Sequence, residues 1–191
     1  MVADESARHK NPRPLYEAAM AGFLKRIQTG VVCAALLMSL AAINSAQAQD
    51  KGQVTNLPLP RFVSLKAAEG NVRRGPSLTH RIDWVFKRRD MPLQITAEHG
   101  HWRRVEDRDG LGGWVHYSLL SGTRTVIVEQ DLMPIHTRPD PTAPTAAVLE
   151  NGVIARLGEC DPEWCWVNAD GYKGWAPKSR LWGVAPDELR D

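Results

Sequence analysis

"GGWVHYSLLSG", residues 112–122, returns in outline as "KGWAPKSRLWG", residues 173–183. Each stretch spells Gly-Trp, then Ser four places after the Trp, Leu two further on and Gly two beyond that, and the two tryptophans, Trp114 and Trp175, lie 61 residues apart. That interval is the length of a very small domain. A duplication is therefore the first reading, and the flanking sequence supports it. Residues 61–76, "RFVSLKAAEGNVRRGP", lie over residues 124–139, "RTVIVEQDLMPIHTRP", without a gap, matching Arg61 to Arg124, Val72 to Ile135 and Pro76 to Pro139. After a one-residue adjustment Trp102 meets Trp164 and Val105 meets Val167. Two copies are too few for a stacking solenoid, so the repeat reads as two small domains in tandem.

Inside each copy the apolar period is two. Met91, Leu93, Ile95 and Ala97 alternate with polar or neutral residues, as do Val153, Ala155 and Leu157 at the matching places, which is the pattern of half-buried strands. Asp90, His99-Gly100, Asp109-Gly110, Asn151-Gly152 and Asp170-Gly171 supply hairpin turns. About five short strands per copy, with no helical stretch, predict an all-β chain of two small barrels. Within "CDPEWC", Cys160 and Cys165 flank a four-residue loop and face each other across an antiparallel pair, at a separation that suits a disulfide. The first copy has Glu98 and Arg103 at these positions, an opposite-charge cross-strand pair. A half zinc site is the rival reading of the two cysteines, but only His136 is at hand in the second copy to join them.

The chain has 191 residues and a formal net charge of +2, too nearly neutral for nucleic acid to be the main partner. Lys25 and Arg26 precede the apolar run of residues 31–43, and Ala46 and Ala48 follow it. Residues 1–48 thus read as a secretory signal peptide cleaved after Ala48, with Met20 as an alternative start. An uncleaved anchor is the competing reading, although the apolar run is short for a membrane span; Cys33 lacks a lipoprotein context. Export leaves Cys160 and Cys165 in a compartment that permits disulfides, most naturally the periplasm, with no stable membrane span after cleavage. Residues 49–60 read as a linker, 61–122 and 123–184 as the two domains, and 185–191 as a mobile C-terminal tail. "SLLSGTRT", residues 118–125, joins the copies with almost no slack, so the barrels are expected to touch.

"EGNVRRGPS", residues 69–77, resembles the Asn-Val-Arg-x-Gly-Pro-Ser signature of bacterial SH3 domains, and Trp102-x-x-Val105 and Gly113-Trp114-Val115 resemble that family's closing motifs. The second copy keeps Trp164, Val167 and Gly174-Trp175 but carries "PIHTRPDPT" in place of the signature, so its recognition loop must differ. The resemblance covers residues 61–184 and is to exported tandem SH3-like proteins of Gram-negative bacteria. It implies SH3-like barrels that bind peptidoglycan or wall-derived peptides, or that dock on an envelope protein.

A catalytic set is not found in the sequence. No histidine follows Cys165 to activate a thiolate, "GPSLT" is not a nucleophile elbow, and no zinc-protease, phosphate-loop or dinucleotide motif occurs. Glu106 and Asp107 are strand neighbours facing opposite ways, and His99 and His101 read as exposed turn residues rather than metal ligands. A non-enzyme without cofactor or metal is expected. Trp102, Trp114, Trp164 and Trp175 recur in both copies and are expected to fill the cores. Trp84, Trp166 and Trp182 have no counterpart and are candidates for a binding surface. The first copy leans basic, which adds Arg73, Arg74, Lys87 and Arg88 as candidates for an anionic partner.

Overall fold

A computed structural model describes residues 50–191. The signal peptide, the Ala48 cleavage site and the Met20 start lie outside the described residues. The first copy contains β1 (Arg61–Leu65), β2 (Gly70–Arg73), β3 (Ile82–Phe86), β4 (Pro92–His99), β5 (Trp102–Glu106), β6 (Gly112–His116) and β7 (Leu120–Ser121). The second contains β8 (Thr125–Val128), β9 (Met133–His136), β10 (Thr145–Leu149), β11 (Ile154–Cys160), β12 (Trp164–Ala169), β13 (Tyr172–Pro177) and β14 (Leu181–Trp182). One 3₁₀ turn precedes the last strand of each, Tyr117–Leu119 and Lys178–Arg180. The sheets run β3-β2-β6-β5-β4-β1-β7 and β10-β9-β13-β12-β11-β8-β14, the same antiparallel order twice. Each sheet thus has seven strands where about five were expected. The extra pieces include the two-residue strands β7 and β14, too brief to show an apolar period.

Each barrel encloses its own aliphatic core. Leu65, Val72, Leu93, Ile95, Val105 and Val115 fill the first, with Phe86 at its edge. Val128, Ile135, Ala155, Leu157, Val167 and Ala176 occupy the matching places in the second, where Met133 and Leu181 join them. Burying one such Val or Leu is worth about 1.5–3 kcal/mol. The recurring tryptophans do not share these interiors, which corrects the expectation. Trp102, Trp114 and Trp175 are only half-buried, and Trp164 alone is buried. Strand parity explains it. Val105 and Val115 point inward, so Trp102, three residues before Val105, and Trp114, next to Val115, must point outward. Each ring then packs edge-on against another ring: Trp102 on His116 at 5.5 Å, Trp164 on His136 at 5.7 Å, and Trp175 on Trp166 at 5.8 Å between centroids.

The hairpin that carries the cysteines in the second copy is closed as the sequence suggests: Cys160 pairs with Cys165 in register and the two form a disulfide. Glu98 and Arg103 take the same register in the first copy. Their pairing is no solvated surface contact, because the Glu98 side chain is wholly buried. Arg61 and Arg103 both bridge it. The Val54 N–H, the Thr55 N–H and the Thr55 hydroxyl donate to its two oxygens at 3.0, 2.9 and 2.7 Å. A Cβ on Gly52 would sit 2.3 Å from the same carboxylate, so only glycine lets the chain pass there. Residues 50–58 are therefore folded onto the first barrel rather than strung out as a tether.

The C-terminal tail is likewise held, not mobile. Arg124, the counterpart of Arg61, grips the Glu188 carboxylate with two hydrogen bonds of 2.6 and 3.0 Å. Arg190 exchanges backbone hydrogen bonds with Cys160 at 2.9 and 3.1 Å, and the Lys178 ammonium donates to the Glu188 carbonyl at 2.7 Å. The barrels touch each other. Phe62 meets Trp182 edge-on at 5.3 Å, the Thr125 hydroxyl donates to the Asp90 carbonyl at 2.7 Å, and Arg88 donates to the Gly152 carbonyl at 3.0 Å.

Burial opposes ionisation of Glu98, but the hydrogen bonds from Thr55, Arg61 and Val54 outweigh it and draw the carboxyl from its ordinary 4.5 down to about 2. Glu98 therefore contributes its full stabilisation above pH 4.5 and loses it as the pH falls from there towards 2. Glu98→Ala is expected to cost about 3 kcal/mol at neutral pH by stranding two guanidiniums. Urea unfolding at a series of pH values should show the native acid-side slope between pH 4.5 and 2 flattened in the variant. In the second barrel, replacing both Cys160 and Cys165 by serine is expected to lower stability by about 2 kcal/mol, the loop-closure value for so short a ring, read from the same unfolding curves.

Candidate functional site

The signature loop between β2 and β3 shows what each of its residues does. Val72 enters the core. The Arg73 guanidinium turns back and donates to the Leu78 and His80 carbonyls at 2.9 and 2.7 Å, fixing the loop from inside. Gly75 leaves room for the His80 imidazole, which a Cβ would meet at 2.5 Å. Pro76, Ser77 and Leu78 are thereby set out as one wall of an open, mainly apolar groove of about 660 Å³. The β4–β5 turn supplies His101 and Trp102, and the end of β6 with its 3₁₀ turn supplies His116, Ser118 and Leu119. The Tyr117 N–H donates to the His101 carbonyl at 2.9 Å, which ties these two pieces together. His116 sits among rings, 5.0 Å from Tyr117 and 5.9 Å from His101, and its Nδ1 lies 2.7 Å from the Ser118 hydroxyl. Leu78 is 74% exposed and Tyr117 50%. Both are therefore free to meet a ligand.

The second barrel repeats the groove with other walls. Trp102 pairs with His116 across the sheet, and Trp164 pairs with Pro177 at the same register. Glu163, Trp164, Pro177 and Ser179 thus replace His101, Trp102, His116 and Ser118 in a groove of about 590 Å³. Val184, at the end of the domain, and Pro186 of the bound tail line this one. The loop that differs from the signature is held differently too. His136 stands where Arg73 stands in the first copy, is buried, and bonds the Ala143 carbonyl through Nδ1 at 2.9 Å. Asp140 accepts from the Thr142 N–H and hydroxyl, which hold its carboxyl below the usual range.

The residues singled out in the sequence are scattered rather than gathered. Arg73 supports the first groove from behind. Arg74 and Arg81 share the Asp83 carboxylate, and Arg81 foremost holds its pKa down. Trp84 is 45% exposed on β3, an edge strand, with Ile82 and Val85 also exposed. Lys87 is exposed just beyond, and Arg88 reaches the second barrel. Trp166 packs edge-on against Trp175, while Trp182 packs against Phe62 between the barrels. Leu78, His116 and Ser118 were not among the binding candidates of the sequence, where Ser118 served only to mark the repeat. Their only signal was adjacency, Leu78 following the signature and His116 to Ser118 following Gly-Trp-Val. Cys165 is committed to a disulfide and offers no thiolate. Among the described residues no group of three or more His, Cys, Asp or Glu is placed to hold a metal ion, and no helix is long and apolar enough to cross a membrane.

A family model described as bacterial SH3 domain matches residues 66–122 and again residues 129–183. The chain belongs to the bacterial SH3 domain family. Its two SH3 copies coincide with the two sheets, and domains of this family are typically binding modules. No curated protein matches the chain. Among solved structures it is similar to NlpC2 from Trichomonas vaginalis, at 13% identity and a TM-score of 0.31 over 64% of this chain and 48% of that one. It is also similar to NlpC1 from the same organism, at 13% identity and a TM-score of 0.31 over 69% and 48%. The chain thus spans about half the length of these structures.

Arg73→Ala removes two hydrogen bonds from a charged donor that hold the signature loop. It is expected to cost about 1 kcal/mol and to speed amide hydrogen exchange of residues 77–81 while leaving the core strands protected, as exchange mass spectrometry would register.

Proposed function

We propose that this is an exported, non-catalytic binding protein of the cell envelope, acting in the periplasm, whose paired SH3 barrels recognise peptidoglycan or its stem peptides. The observation that carries the reading is the groove built twice at one strand register, with an indole on its floor each time and its remaining walls rebuilt. Open clefts with aromatic and small apolar walls suit an extended peptide, which lays alternate side chains into them and keeps its backbone polar groups at the rim. The first groove carries imidazoles and the second carries Glu163 and Lys178. The two barrels would therefore read different parts of one ligand.

A second reading has its own observation. The edge strand β3 exposes Ile82, Trp84 and Val85 together, and an unpaired strand edge with large apolar side chains accepts a strand from another protein. On that reading the barrels dock on an envelope enzyme or receptor and regulate it.

Co-sedimentation with purified sacculi tests the first reading. The chain is expected to pellet at low salt, and Leu78→Ser together with His101→Ala is expected to weaken binding by more than about tenfold, through the loss of one apolar contact and one hydrogen bond. If no pelleting occurs, the wall reading is wrong. If pelleting instead falls with Trp84→Lys and is untouched by the groove variants, contact runs through β3.

A further inference from the structure

The docking of the two barrels creates a third cavity that neither barrel has alone, a polar cleft of about 590 Å³. Arg88 and Arg89 reach it from the β3–β4 link of the first barrel, and Arg156 reaches it from β11 of the second. Two of the three guanidiniums are already fixed. Arg88 donates to the Gly152 carbonyl at 3.0 Å and Arg89 to the Lys66 carbonyl at 2.7 Å, which leaves each with further N–H groups in a defined place. Among the described residues none of the three has a carboxylate within 4.0 Å, although Asp90 and Asp170 line the same cleft. Asn168 spends its carbonyl oxygen on the Gly171 N–H at 3.0 Å, so its NH₂ remains as a donor.

Three exposed arginines at one cleft, only partly balanced by Asp90 and Asp170, leave it a net positive charge that favours an anion. Guanidinium forks match carboxylate and phosphate oxygens equally well. The two aspartates decide between them. They would repel a compact dianionic phosphate, but they offer an ammonium group a partner within the same cleft. A volume of this order accommodates a ligand the size of two or three amino acids.

The geometry points to a third binding site, between the barrels, for a short acidic peptide that carries both free carboxylates and a free amine. It is separate from the grooves, and it exists only while the barrels keep their mutual orientation. Its ligand bridges the two barrels, so binding and docking reinforce one another.

Calorimetric titration of the full chain with the tripeptide Ala-Glu-Glu, in 50 mM salt, tests the inference. Saturable one-to-one binding is expected, and it should weaken about tenfold in Arg156→Gln, whose side chain makes no hydrogen bond or ion pair among the described residues. Arg89→Gln provides a second variant, and thermal melting verifies that both are folded. The uncharged analogue Ala-Gln-Gln-amide is expected not to bind, and inorganic phosphate is expected not to displace the tripeptide. Absence of saturable binding overturns the site, as does binding that survives both arginine replacements or that the uncharged analogue matches. Displacement by phosphate at equal concentration would make it a plain anion site and overturn the peptide assignment. Because sacculi are not involved, loss of pelleting in the groove variants leaves this result unaffected.

Discussion

An arginine at the start of each barrel, Arg61 in one and Arg124 in the other, must find a carboxylate in a place almost closed to water, and how each finds it shapes the rest of the molecule. In the first barrel the partner is Glu98, on the hairpin of β4 and β5. A wholly buried carboxylate needs its lone pairs occupied, because the cost of desolvating a charge exceeds what one ion pair returns. Arg103 and the backbone of residues 54 and 55 complete the set. The N-terminal segment is thus fastened by the requirements of one side chain.

The second barrel solves the same problem without a carboxylate at the position matching Glu98, where Cys160 stands and closes a covalent ring with Cys165. Arg124 turns to Glu188 of the tail, and the tail crosses the hairpin beside Cys160. Burial works against the ionised form of Glu188, but the Arg124 hydrogen bonds, the Ala185 N–H and the charges of Arg124 and Arg190 together outweigh it and keep the carboxyl below its usual range. One domain therefore borrows its closing segment from the N-terminal side and the other from the C-terminal side. Pro186 of the tail, beside Val184 at the end of the domain, then lines the second groove. A structural compensation has become part of a candidate binding wall.

Duplication, strand period and hairpin register were legible because each is local or repeats at a fixed interval. The register of Cys160 against Cys165 and of Glu98 against Arg103 needed only a turn length. The tryptophans were misread although the information was present: Val115 beside Trp114 and Ala176 beside Trp175 occupy the inward parity, and recurrence alone says nothing about the side of the sheet. The attachments of residues 54, 55 and 188 were not legible, since a single carboxylate meeting a distant backbone leaves no pattern in sequence. The groove fell between these cases. Its floor lay in the motifs, but its walls come from three separate segments, and exposed Leu78 becomes informative only when His101 is known to lie across from it.

The contacts between the barrels decide how two grooves can act together. Phe62 lies against Trp182 and under the Arg124 guanidinium at 5.6 Å, so the arginine that anchors the tail also covers the aromatic contact between domains. Thr125, almost wholly buried, spends its hydroxyl on the Asp90 carbonyl, and Arg88 adds a second tie. These bonds remove the freedom a flexible linker would leave. With the grooves held at one separation, a ligand long enough to enter both gains from the high effective concentration of the second site, whereas a ligand of the wrong length gains nothing. If the proposed function holds, rigid docking would convert the two grooves into a gauge of ligand spacing, a selectivity that neither barrel's own walls could supply.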